Sequence, residues 1–223
     1  MPKSGDGVQS IGNYGMELEP GHLYGVLTYR GELASWNWAF FIPNPSVSPI
    51  GSAGTLFHVV NSSDTVGWKF EIETKDIITS PLIVAIIRLA ELSQFHDSDY
   101  EAIVGESEGS LRSMFQMVPI PTMGSTPRTE FSSRTWFLDA INMLDDCGVV
   151  ACDDVWPLER EIRRLGFTAM DNYLENKGTQ LLLGLLPGSS ITITSRLDRL
   201  CSRALLAWCI DFLDLFSSRC IAF

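Results

Sequence analysis

The sequence predicts an α+β fold, an antiparallel sheet of four to six strands packed against helices. Three observations carry this reading. Four strand-like segments follow one another between residues 22 and 73 with short links, and short links favour antiparallel pairing because parallel pairs need long crossovers. The fourth segment alternates, with Trp68, Phe70 and Ile72 on one side and Lys69, Glu71 and Glu73 on the other, as in a sheet with one wet face. Beyond residue 130 the period changes, and Trp136, Phe137, Ala140, Ile141 and Leu144 recur at helical spacing.

Taken in order, residues 1–19 read as a flexible tail, polar and glycine-rich to Gly15. Pro20-Gly21 opens the strands, predicted at His22–Tyr29, Ser35–Ile42, Gly54–Val60 and Val66–Glu73. Pro43-Asn44-Pro45 ends the second, since proline cannot continue a ladder. Ser80 and Pro81 suit an N-cap and a first helical turn, so the apolar run Leu82–Leu92 is expected to be a buried helix. Residues 93–110 are polar and acidic and read as loop, and Met114–Ile120 reads as a strand stopped by Pro119 and Pro121. A long helix is expected over Ser132–Asp146. Another starts at Asp153 or Asp154, with Leu158, Ile162 and Leu165 inward and Glu159 and Arg163 paired outside. Gly166 is expected to stop it. Residues 20–177 thus form the α+β domain. Residues 178–223 form an amphipathic extension in which Leu200, Ala204, Leu205, Trp208, Phe212 and Leu215 share a stripe. That helix reads as docked on the core or as a homodimer surface, not as a transmembrane span, because Asp211 and Asp214 fall inside it.

The bulk numbers exclude some functions. A chain of 223 residues buries a sizeable core. A net charge of −11 argues against nucleic acid, whose phosphates need Lys and Arg in excess. It argues equally against an anionic membrane face. The polar N-terminus predicts no secretory signal. The five cysteines have no framework spacing and read as reduced thiols of a cytoplasmic protein. No His/Cys spacing suggests a metal, and no cofactor is expected. Asp145-Asp146 and Asp153-Asp154 bracket a turn without calcium-loop spacing, and read as helix-end electrostatics. Gly105–Gly109 carries acids where a phosphate loop needs Lys.

Three segments carry the chemistry. Pro20-Gly21-His22-Leu23-Tyr24 opens the first strand. Trp36-Asn37-Trp38-Ala39-Phe40-Phe41-Ile42 forms the second, with Leu56-Phe57-His58-Val59 on the next. Ser132-Ser133-Arg134-Thr135-Trp136 starts the long helix. Their order resembles the circularly permuted papain-like proteins of the NlpC/P60 superfamily, of the lecithin-retinol-acyltransferase and H-rev107 type. It also looks like a set of fungal proteins with His-Trp-Ala on one strand, His on the next and Cys-x-Thr-Trp at a helix start. The resemblance covers roughly residues 20–176 and implies a permuted papain-like layout. It puts Ser133 at the nucleophile position, Asn37 at the base and His58 at the orienting position. Trp36, Trp38, Ser132 and Arg134 border the implied groove.

In that plan a thiolate gains from the helix N-terminus, an imidazole takes its proton and a third group fixes the tautomer. Here Asn37 cannot accept a proton, and Ser133 is a weak nucleophile without a base. The expectation is therefore a non-catalytic domain with a binding or accessory role in a fungal cell, in a metabolic pathway for example. A small molecule, lipid or peptide would occupy the former active-site groove. Two alternatives stand: a serine hydrolase or acyltransferase using Ser133 and His58, or a dimerising module built on the 197–216 helix. The bland readings are equally concrete: Ser132 or Ser133 as an N-cap, Asn37 as a satisfied strand amide, His58 as a semi-buried histidine, and Trp36 and Trp38 as core. His22 and His96 have no matched partner.

Overall fold

The computed structural model describes residues 17–32, 35–61, 67–92, 95, 99–121, 131–175 and 180–182. The chain divides into two compact units, Met1–Ile193 and Thr194–Phe223. All the described residues lie in the first. The predicted 197–216 helix, His96 and most of the predicted tail lie outside the described residues.

The fold is α+β. Strands β1 (His22–Tyr29), β2 (Trp36–Pro43), β3 (Gly54–Asn61), β4 (Trp68–Thr74) and β5 (Ile83–Glu91) pair antiparallel, and the short β6 (Gln180–Leu182) adds to β5 in parallel. The order across the open sheet is β4-β3-β2-β1-β5-β6. Helices α1 (Tyr100–Val104), α2 (Leu111–Gln116), α3 (Ser133–Asp146) and α4 (Val155–Leu174) complete the domain.

Strand alternation divides the core. Trp36, Trp38, Phe40 and Ile42 of β2 and Phe57 and Val59 of β3 share one cluster with the inward faces of α2, α3 and α4. At its centre Phe40 stacks on Phe137 at 4.1 Å and on Phe115 at 4.7 Å, and Trp136 meets Phe40 edge-on. Ala39, Phe41 and Leu56 point the other way, into a smaller cluster with Tyr24, Val26, Ile83 and Ile86, joined from the flanking segments by Leu18 and Ile77. Leu18, assigned to the tail by its sequence context, is in fact buried, and its N–H donates to the Ile50 carbonyl at 2.9 Å.

Five expectations fail. The run after Pro81 is strand β5, not a helix. Its residues face core on both sides, so apolar continuity reflects two buried faces. Met114–Ile120 is not a strand; the segment begins in α2, where the Ser110 hydroxyl accepts the Ser113 N–H. Within residues 93–110 the chain forms α1. Gly166 does not stop α4, which runs on to Leu174. Its missing Cβ lets the helix approach Leu27 and Trp36, since a Cβ there would lie 2.8 Å and 3.3 Å from their side chains. Glu159 also turns inward: it is buried, and its carboxylate receives Arg134 at 3.0 Å, with Arg163 at 3.7 Å.

Candidate functional site

Ser132 and Ser133 have separate tasks. Ser132 caps α3: its hydroxyl accepts the Thr135 N–H at 3.2 Å, and the Thr135 hydroxyl accepts the Ser132 N–H at 2.8 Å. This is a reciprocal capping box with Thr at the third position. Ser133, the first helical residue, is 1 % exposed. Its Oγ accepts the Trp38 N–H at 3.2 Å across a separation of 95 residues. The β2–β3 ladder begins at Ala39↔His58, so the hydroxyl supplies an acceptor beside the end of that ladder. The helix end does meet the second strand, as its sequence neighbours suggested, but the contact is to backbone.

The side chain of Asn37 goes elsewhere. Pairing along β1–β2 is regular from Trp36 to Phe41, and Trp36, Trp38 and Phe40 face the cluster shared with α3 and α4. Asn37 therefore shares the opposite face with Ala39 and Phe41. His58 alternates with Phe57 and Val59 in the same way and joins Leu56 on that second face. Its cross-strand neighbour is Glu71, and its Nε2 lies 3.7 Å from a Glu73 carboxylate oxygen, too far for a hydrogen bond. The His58 Nε2 is buried and has no hydrogen-bond partner among the described residues. Burial holds the His58 pKa below the ordinary histidine value, with Glu73 and Glu71 opposing that effect. Among the described residues no hydrogen bond joins Ser133 to Asn37 or to His58, so the three form no proton relay.

The bordering residues serve packing. Trp36 lies edge-on to Phe167 at 5.1 Å, and Trp38 edge-on to Phe137 at 5.3 Å. Arg134 compensates the buried charge of Glu159. Asp145 accepts the Cys152 N–H at 3.1 Å, and Asp154 caps α4 by accepting the Trp156 N–H at 2.9 Å. Both therefore act at helix ends. Burial and neighbouring carboxylates push the Cys147 and Cys152 thiols up, away from the reactive thiolate. Among the described residues no three His, Cys, Asp or Glu side chains converge as a metal site.

Concavity lies at the other end of β2. A cleft of 270 Å³ is lined by Pro20, Gly21, Ile42, Pro43, Leu92 and Tyr100, among others. The Tyr100 hydroxyl bonds to Thr55 Oγ1 at 2.8 Å. Along β2 the cleft is about 13 Å from Trp38, at about 3.3 Å per residue. Sequence reasoning singled out Pro20-Gly21 as a strand opening but missed Tyr100, because only the fold brings α1 to that corner.

Fold and site define an α+β sheet domain whose long helix is fastened to the sheet by a serine hydroxyl, with no nucleophile–base pair among the described residues. Residues 24–151 match the family of unknown function DUF6540, more than half of the chain, and the protein belongs to that family. No curated protein and no solved structure matches it. No described helix is long and apolar enough to cross a membrane.

Proposed function

We propose that this protein is a non-catalytic binding or accessory domain on a papain-like scaffold. The observation that supports it best is the hydrogen bond from Trp38 N–H to the buried Ser133 hydroxyl. A hydroxyl already committed to the backbone and shut away from solvent is not available to attack an acyl carbon, and among the described residues no imidazole bonds to it to take its proton. Loss of one member of such a unit removes nearly all of its benefit, and here the base position carries an amide. The cleft beside Tyr100 is where we place a ligand among the described residues. Its 270 Å³ suits a small apolar molecule or one side chain of a peptide.

Activated acyl esters test the catalytic half of this reading. The protein and its Ser133→Ala variant should hydrolyse p-nitrophenyl esters at the same background rate. A rate that depends on Ser133 overturns the reading and restores the serine hydrolase alternative.

A further inference from the structure

The cleft beside Tyr100 carries one charge in its lining. Its walls are otherwise apolar: Ile42, Leu92, Ile103, three prolines and the rings of Phe95 and Tyr100. Glu91, the last residue of β5, stands among them, and no Lys, Arg or His lines the cleft. Burial pushes the Tyr100 phenol up, so it stays neutral. Glu91 is exposed and has no ion-pair partner among the described residues. Its cross-strand neighbour is His22, but that ring turns to Glu19, with Nε2 at 3.5 Å from a carboxylate oxygen and Nδ1 at 3.0 Å from the Pro20 carbonyl. Arg88, on the same strand as Glu91, is likewise taken by Glu19 at 2.8 Å.

Hydrogen bonds tie the walls together. The Tyr100 hydroxyl bonds to Thr55 Oγ1 at 2.8 Å and reaches the Ile42 carbonyl at 3.4 Å, which holds α1 against β2 and β3. The Leu92 N–H donates to the Gly21 carbonyl at 2.8 Å, and the Phe95 N–H to the Leu92 carbonyl at 2.9 Å. Strand ends and helix are thus fastened around the cleft before any ligand arrives, as in pre-formed sites. We propose that this cleft takes a small organic cation, an ammonium group on an apolar body, with Glu91 as its counter-ion. The proposal rests on the reading of the cleft as the ligand site and adds the sign of the ligand's charge. An anionic ligand would set its charge beside Glu91 with no basic group in the lining to offset it. A neutral one would leave the carboxylate unpaired. An ammonium supplies the missing charge while its body covers the prolines and the two rings.

The surroundings act in the same direction. Asp99 and Glu101 flank Tyr100, both exposed and both without an ion-pair partner among the described residues. The whole chain has a net charge of −11 and attracts any cation loosely. Binding of a cation is therefore not enough; its preference over a neutral twin must depend on Glu91.

Three probes of one shape separate the possibilities: phenethylamine as the cation, phenethyl alcohol as the neutral twin and hydrocinnamate as the anion. Each is titrated into the full chain to about 20 mM, which spans millimolar affinities, while the amide resonances of Gly21, Leu92 and Tyr100 are followed by NMR. The amine should shift these amides and bind at least about threefold tighter than the alcohol, the worth of one partly exposed ion pair. Hydrocinnamate should bind weakest. In Glu91→Gln the amine and the alcohol should bind alike; the residue is exposed, and circular dichroism checks that the fold is kept. Equal binding of amine and alcohol to the wild type overturns the proposal and leaves the cleft as the ligand site. A preference for the amine that survives in Glu91→Gln also overturns it, because the general negative field is then the cause. If no probe shifts the cleft amides, the proposal falls together with the reading of the cleft.

Discussion

Substituting Ser133 by alanine isolates what its hydroxyl does. The Trp38 N–H donates to that hydroxyl in a buried place, where water does not replace a lost acceptor. Leaving a buried donor unpaired costs about 1–3 kcal/mol. The volume removed is a single oxygen, so the cavity contribution is small. Alanine is also no worse than serine as a helical residue, and the N-cap, Ser132, is untouched. The variant should therefore be less stable by about 1–3 kcal/mol. Equilibrium urea unfolding measures this, with the loss appearing as a lower midpoint at unchanged slope. A loss below about 0.5 kcal/mol, the scatter of ordinary surface substitutions, refutes the view that this hydroxyl fastens α3 to β2.

Other expectations follow from the same coordinates. Ser132→Ala removes the cap of α3 and should cost about 1 kcal/mol in the same assay. Gly54→Ala should cost about 3 kcal/mol or prevent folding, since its Cβ would collide with the Ile42 carbonyl and the Phe41 ring. His58 is held neutral by burial, so the unfolded chain binds the proton first as pH falls below about 6.5. Stability should therefore decline below that pH and level off once the folded state also protonates; His58→Gln should flatten this slope, and an unchanged slope places the titration elsewhere. The double variant Ser133→Cys with Asn37→His should alkylate with iodoacetamide no faster than Ser133→Cys alone. A faster reaction shows that the side chain at 37 reaches the end of α3.

Much of this architecture could be read from local chemistry. Strands β1 to β4 carry alternating or aromatic runs ended by proline, glycine and polar residues, and their observed bounds lie within two residues of the expected ones. The starts of α3 and α4 announce themselves through Ser132 and Asp154. Where both faces are buried, periodicity falls silent, and the β-branched residues Ile83, Val84, Ile86 and Ile87 of β5 were outweighed by the Ser-Pro signal before them. Gly166 and Glu159 depend on neighbours from other elements, Trp36 and Arg134, which no local window contains.

The candidate site was legible as a meeting of segments, but the direction of its side chains was not. The alternation Trp36-Asn37-Trp38 shows that Asn37 and Trp38 part company. It does not show which face α3 covers, because Ala39 and Phe41 are as apolar as a core requires and fill a second cluster of their own. That choice is made by the Phe40–Phe137 stack and the aromatic side chains around it. It leaves His58 with the carboxylates of β4 instead of with a serine.

Fluorophosphonate labelling followed by intact-mass measurement asks most directly whether Ser133 is structural. The structure predicts no adduct at Ser133 on the folded protein. A stoichiometric adduct there, lost in Ser133→Ala, contradicts it.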